Sequence, residues 1–162
     1  MKSIGILSDT HGYLDKTIGE HFAKCDEIWH AGDIGSIEVL DALQQFKPLK
    51  AVYGNIDGHI IRSICPQHLR FQCEEVDVWL THIGGYPGKY APEVKPEIST
   101  NPPQLFVCGH SHILKVVNDP KLHLLHINPG AAGKYGFHQV RTLVRFTINK
   151  KEISKLEVIE LR

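Results

Sequence analysis

The sequence predicts an α/β fold with a βαβαβ parallel start and antiparallel C-terminal strands. Two observations predict it: short apolar runs alternate with amphipathic stretches from Ile4 to Tyr53, and beyond them the hydrophobic period shortens to two. Ile4–Leu7 is the first strand. Tyr13–Phe22 is the first helix, because Leu14, Ile18 and Phe22 recur at helical spacing. Glu27–His30 is the second strand, Ser36 caps a helix carrying Ile37, Leu40 and Leu43, and Leu49–Tyr53 is the third strand. Leu69, Phe71 and Cys73, then Val76, Val78 and Leu80, alternate with other residues and predict two strands about a tight turn at Glu74-Glu75. Gly84 to Pro103 is rich in Gly and Pro and reads as a long functional loop with at most one short helix. Strands at Gln104–Cys108, Leu114–Val117, Leu122–Ile127, Val140–Ile148 and Glu152–Leu161 complete the chain, with a turn at Asn149–Lys151.

The 162 residues, 42% of them hydrophobic, suit one compact domain over 1–162. A charged fraction of 22% with only 9 Pro excludes a largely disordered chain, and no apolar run nears the ~20 residues that cross a bilayer. The 18 Lys+Arg balance the 18 Asp+Glu, which removes the electrostatic case for a nucleic-acid or membrane surface. Cys25, Cys65, Cys73 and Cys108 form no Cys-x-x-Cys, and the apolar start is too short for a signal peptide. A cytoplasmic protein with reduced, buried thiols is expected. The unusual feature is 11 histidines.

Five apolar runs end in side chains able to bind metal: Leu7 leads to Asp9 and His11, His30 to Asp33, Tyr53 to Asn55, Leu80 to His82, and Cys108 to His110 and His112. Alone, each is ordinary; Asp9 and Asp33 suit turns or caps, and Asn55 after Gly54 is a turn signal. Together they fall where an open α/β sheet binds ligands, outside the carboxyl ends of its strands. Gly32, Gly54 and Gly109 precede three of them and permit close approach. Oxygen and imidazole donors without a thiolate suit two divalent transition-metal ions, manganese first, with nickel, iron or zinc as alternatives, and not a structural zinc site. Two carboxylates and a bridging hydroxide against two such ions leave about +1, which attracts a phosphate anion. The expected substrate is a small-molecule phosphate ester, attacked by the hydroxide in line.

Asp9-Thr10-His11, Gly32-Asp33, Gly54-Asn55-Ile56-Asp57, Thr81-His82 and Gly109-His110-Ser111-His112 resemble, in that order, the motifs of the calcineurin-like metallophosphoesterases, especially their small single-domain phosphodiesterase branch. Asn128-Pro129-Gly130 resembles a loop of the same branch. The resemblance implies a four-layer α/β/β/α sandwich, one metal on Asp9, His11 and His112, a second on Asn55, His82 and His110, and Asp33 as the bridge. Asp33, Asn55 and His110 then serve catalysis directly. It also admits a pyrophosphohydrolase, a phosphomonoesterase, or a non-catalytic scaffold, since the family includes a trafficking-complex subunit with a degraded metal site.

Two positions depart from the pattern. Ile56 stands where many relatives have a histidine that protonates the leaving oxygen, which favours activated or diester substrates unless His59 supplies the proton. Ile83 separates His82 from Gly84-Gly85. His59 otherwise reads as a loop histidine, and Asp57 as a brace of the Asn55 turn. His21, His30, His68, His123, His126 and His138 are assigned to packing or surface roles, with His126 the first candidate for an exception because it closes a strand before Asn128. Trp29 and Trp79 are expected in the core.

Overall fold

The computed structural model describes residues 1–162. In chain order it forms β1 (Lys2–Leu7), α1 (Ile18–His21), β2 (Glu27–His30), α2 (Ile37–Phe46), β3 (Leu49–Ala51), α3 (His59–Ile64), β4 (His68–Cys73) and β5 (Val76–Thr81). There follow β6 (Gly85–Tyr86), β7 (Lys89–Tyr90), α4 (Lys95–Thr100), β8 (Leu105–Val107), β9 (Lys115–Asp119), β10 (Leu124–Asn128), β11 (Arg141–Asn149) and β12 (Glu152–Leu161). One sheet runs β12-β11-β1-β2-β3 and a second β4-β5-β8-β10-β9, with β6-β7 as a separate hairpin. β1, β2 and β3 pair in parallel, as the βαβαβ pattern requires. β11 and β12 are antiparallel, whereas β8 and β10 lie parallel to β5, so both sheets are mixed.

Three apolar clusters define four layers. Ile4, Ile6, Trp29, Val78, Leu80, Val107 and Phe146 fill the space between the sheets. On the outer face of the first sheet, Ile28 and Leu143 pack with Ile18, Phe22, Leu40, Leu43 and Ile61 of the helical side. On the outer face of the second, Trp79 and Phe106 pack with Val94 and Ile98 around α4. The order is α/β/β/α. Both tryptophans are in the core, and the four cysteines are buried and free. No helix is long and apolar enough to cross a membrane.

The differences from expectation have local causes. The first helix keeps only Ile18–His21 of Tyr13–Phe22, because the Asp15 carboxylate accepts the Thr17 N–H (2.9 Å) and hydroxyl (2.6 Å). That turn holds the preceding residues out of the helix while Leu14, Ile18 and Phe22 still reach one cluster. β3 stops at Ala51, since Tyr53 N–H turns to Pro66 O at 3.0 Å. α3 was not anticipated: its Ile60, Ile61 and Ile64 are β-branched, and only Ile61 is buried. Ser36 precedes α2 as expected but makes no side-chain capping bond. The stretch from Gly84 to Pro103 holds the expected short helix and also a hairpin, which the Tyr90 hydroxyl ties to Asp119 at 2.6 Å.

Candidate metal centre

β1 releases Asp9 and His11, β2 Asp33, β3 Asn55, β5 His82, and β8 His110 and His112, so both sheets contribute. Backbone bonds lace these ends together: Asp9 N–H to Gly32 O (2.9 Å), His11 N–H to Asp33 O (3.0 Å) and Gly109 N–H to His82 O (2.9 Å). Asp9 (φ 54°), His11 (46°), Asp33 (55°), His110 (74°) and His112 (63°) all sit in the left-handed region. Backbone strain of this kind costs about 1–3 kcal/mol per residue, persists only where the surroundings impose it, and clusters at functional sites. At Gly32, Gly54 and Gly109 a Cβ would collide with the His82 ring, the Asp33 carboxylate and the Ser8 hydroxyl respectively.

Asp9, His11 and His112 offer ligand atoms within 4.8 Å of one another, as do Asp33, His82 and His110. Asn55 Oδ1, 3.0 Å from His110 Nδ1, adjoins the second group. Asp33 faces both, with Oδ2 3.4 Å from His11 Nε2 and Oδ1 3.2 Å from His82 Nε2. Asp9 Oδ1 lies 3.2 Å from His112 Nε2 and 3.8 Å from the Nε2 atoms of His11 and His82. Asp9 Oδ1, His11 Nε2 and His82 Nε2 are buried without a hydrogen-bond partner. Each such atom costs about 1–3 kcal/mol, so this concentration calls for a group that takes up lone pairs. A divalent metal ion would take up such lone pairs, and the oxygen and imidazole donors of both groups suit one.

Hydrogen-bond arithmetic fixes the imidazoles. His82 Nδ1–H donates to Ala31 O at 2.7 Å, leaving Nε2 as a lone pair. His138 Nε2–H donates to Gly133 O at 2.7 Å, so its Nδ1 accepts Nδ1–H of His112 at 3.3 Å, and His112 Nε2 likewise turns a lone pair toward Asp9. Behind Asp33, the Thr10 hydroxyl donates to Ile34 O (2.8 Å) and accepts His30 Nε2–H (3.0 Å), while His30 Nδ1 accepts Gly32 N–H (3.0 Å). Asp57 accepts the N–H groups of Ile34 (3.0 Å), Gly35 (2.8 Å) and Gly54 (2.8 Å), bracing the Asn55 turn as expected.

Burial opposes charge on Asp9, but His11, His112, His82 and the Ser8 hydroxyl prevail and hold it well below the usual carboxylate range. Asp33 is lowered too, against burial, mainly by His82. Asp9 raises the pKa of His112, and Asp33 and Asp9 raise that of His82 despite its burial. Burial and His82 lower that of His110. The two carboxylates form a trap for positive charge.

All seven predicted ligand positions converge. His59 does not join them: it opens α3 on the exposed surface instead of standing in a loop, and no hydrogen bond ties it to the site. His30 and His138, assigned to packing or surface roles, are instead built into the site's bracing. His30 had a signal, ending an apolar strand just before Gly32-Asp33, whereas His138 lies 26 residues from His112 with no spacing pattern. Tyr135, also unforeseen, stacks on His11 with ring centroids 5.0 Å apart.

The model of the calcineurin-like phosphoesterase superfamily domain matches residues 1–151. The chain belongs to this superfamily. As a calcineurin-like phosphoesterase it is 27% identical over 135 residues to a probable metallophosphoesterase of Methanothermobacter thermautotrophicus, covering 79% of this chain and 76% of that one. Its fold is shared by an archaeal phosphodiesterase (TM-score 0.78, 23% identity, 98% of this chain and 99% of that one). It is shared also by zinc-bound Vps29 of Entamoeba histolytica (TM-score 0.75, 15% identity, 98% of each chain). Ile56 is 46% exposed and donates its N–H to Asp33 Oδ1 at 3.1 Å.

Proposed function

We propose that the chain is a metal-dependent phosphodiesterase with a dinuclear centre, acting as one domain because both sheets supply ligands. The observation that carries this is Asp33, whose two carboxylate oxygens face histidines of different ligand groups. Asp9, His11 and His112 would hold one ion and Asn55, His82 and His110 the other, with Asp33 placed to serve both. Bound there, divalent ions would supply the Lewis acidity that activates a water nucleophile and neutralises charge on the phosphoryl oxygens. The Ala31 carbonyl holds the His82 ring, and His138, anchored on the Gly133 carbonyl, holds that of His112, so that their Nε2 lone pairs face inward. Asn55 and His110 are the exposed ligands, so the ester approaches over them.

Two features favour a diester over a monoester. Ile56 cannot pass a proton to a leaving oxygen, so substrates with good leaving groups are preferred. A cleft of about 160 Å³ lies beside Asn55 and His82, and another of about 270 Å³ beside His110, giving room for more than one ester arm next to this ligand group. A non-catalytic scaffold is the second reading, resting on the fold shared with Vps29; the complete ligand set favours hydrolysis. Metal-stripped protein resupplied separately with Mn²⁺, Ni²⁺, Zn²⁺ and Mg²⁺ is expected to hydrolyse bis(p-nitrophenyl) phosphate faster than p-nitrophenyl phosphate, most with Mn²⁺. Faster monoester turnover would replace the reading with a phosphomonoesterase, and no turnover of either with two ions bound would favour the scaffold.

A further inference from the structure

We infer that the cleft beside His110 binds one arm of the diester, and that this arm is aromatic and carries an anionic oxygen. The inference deepens the phosphodiesterase reading and rests on it. The cleft of about 270 Å³ has apolar walls from Ile83, Tyr86, Ala91 and Ile113. Tyr86 is 42% and Ile113 62% exposed, so their surface is open to a ligand.

Three polar groups lining the cleft have capacity unused by the protein. Lys115 is half-buried, its Nζ lies 4.3 Å from the Tyr86 ring centroid, and no carboxylate pairs with it. Ser111 Oγ accepts the Ile113 N–H (3.1 Å) and an Asn128 Nδ2–H (3.0 Å), so its own proton is free to donate. His126 is 1% exposed, and its Nδ1 has no partner. Burial pushes its pKa down to about 4, so it is neutral near pH 7.

A bare second phosphate would leave the apolar walls unused, and a plain alkyl arm would leave Lys115 and Ser111 unanswered. An aryl group with an anionic oxygen meets both demands. His110 lines the same cleft and belongs to the ligand group, so an ester at the centre reaches it without a break.

The test uses Mn²⁺-loaded protein and three p-nitrophenyl phosphodiesters whose second arm is methyl, phenyl or p-carboxyphenyl, each rate divided by that of hydroxide in solution. The expected kcat/KM rises about tenfold from methyl to phenyl by apolar burial, and about tenfold again to p-carboxyphenyl. Lys115→Met is expected to bring the carboxyphenyl-to-phenyl ratio near unity, and Tyr86→Ala to shrink the phenyl-to-methyl ratio. A flat series overturns the inference, as does a carboxyl advantage that survives Lys115→Met. No turnover of any ester with two ions bound removes the phosphodiesterase reading itself, and the inference with it.

Discussion

The two ligand groups differ in enclosure. Asp9 is completely buried and His11 and His112 are half-buried, whereas the second group pairs buried Asp33 and His82 with exposed His110 and Asn55. The difference extends to their support. Asp9 Oδ2 accepts the Ser8 hydroxyl (2.7 Å) and the His110 N–H (3.1 Å), and His112 is fixed through His138 to the Gly133 carbonyl. The side chains of Asn55 and His110 hydrogen-bond only each other. On the proposed dinuclear reading, an enclosed group and one with two exposed ligands would divide the work: the first would hold its ion, and the second would meet the substrate.

The largest effect is expected where the groups join. Asp33→Ala should lower diester hydrolysis by more than the roughly 100-fold that outer partners reach, and reduce the bound metal measured by elemental analysis. Wild-type turnover by this variant would break the comparison outright. Next, His138→Ala should weaken metal binding at the enclosed group by about 10–100-fold in calorimetry, with partial recovery in His138→Gln, whose amide can both accept from His112 and donate to Gly133. Equal loss at both groups would deny the division. Chelating the metal should lower Tm by about 5–10 °C in calorimetry, reversed by Mn²⁺, if ion binding contributes about 2–3 kcal/mol to the folded state.

The smallest effect concerns the loop that carries His11. Asp15 ties that loop to β11 through Arg141 Nη1 at 2.8 Å, and bonds from Thr17, then Arg141, bring its carboxyl down to about 2. A carboxylate ionising below its unfolded value of about 3.9 contributes stability that is complete above about pH 5 and is lost as pH falls through about 2. Asp15→Asn should cost about 1 kcal/mol at pH 7 and flatten the fall in urea stability from pH 4 to 2.

Much of this was legible in the sequence because the ligands sit at strand ends, where an apolar run and the polar residue after it lie side by side in the chain. Asp9, Asp33 and His82 were found that way, and Gly32, Gly54 and Gly109 marked the crowding. His138 was not, since its role depends on a loop folding back onto His112, which no local period encodes. The first helix was overextended because Leu14, Ile18 and Phe22 do share one cluster, but a side-chain turn at Asp15 and not a helix delivers the first of them. α3 leaves little trace in the sequence, because its β-branched residues favour strands and only Ile61 is buried.

The measurement that tests the central claim most directly is electron paramagnetic resonance of the protein fully loaded with Mn²⁺. If Asp33 joins the two groups into one centre, the spectrum is that of an exchange-coupled pair, and Asp33→Ala abolishes it. Full loading that gives only the hyperfine pattern of isolated Mn²⁺ would contradict the account.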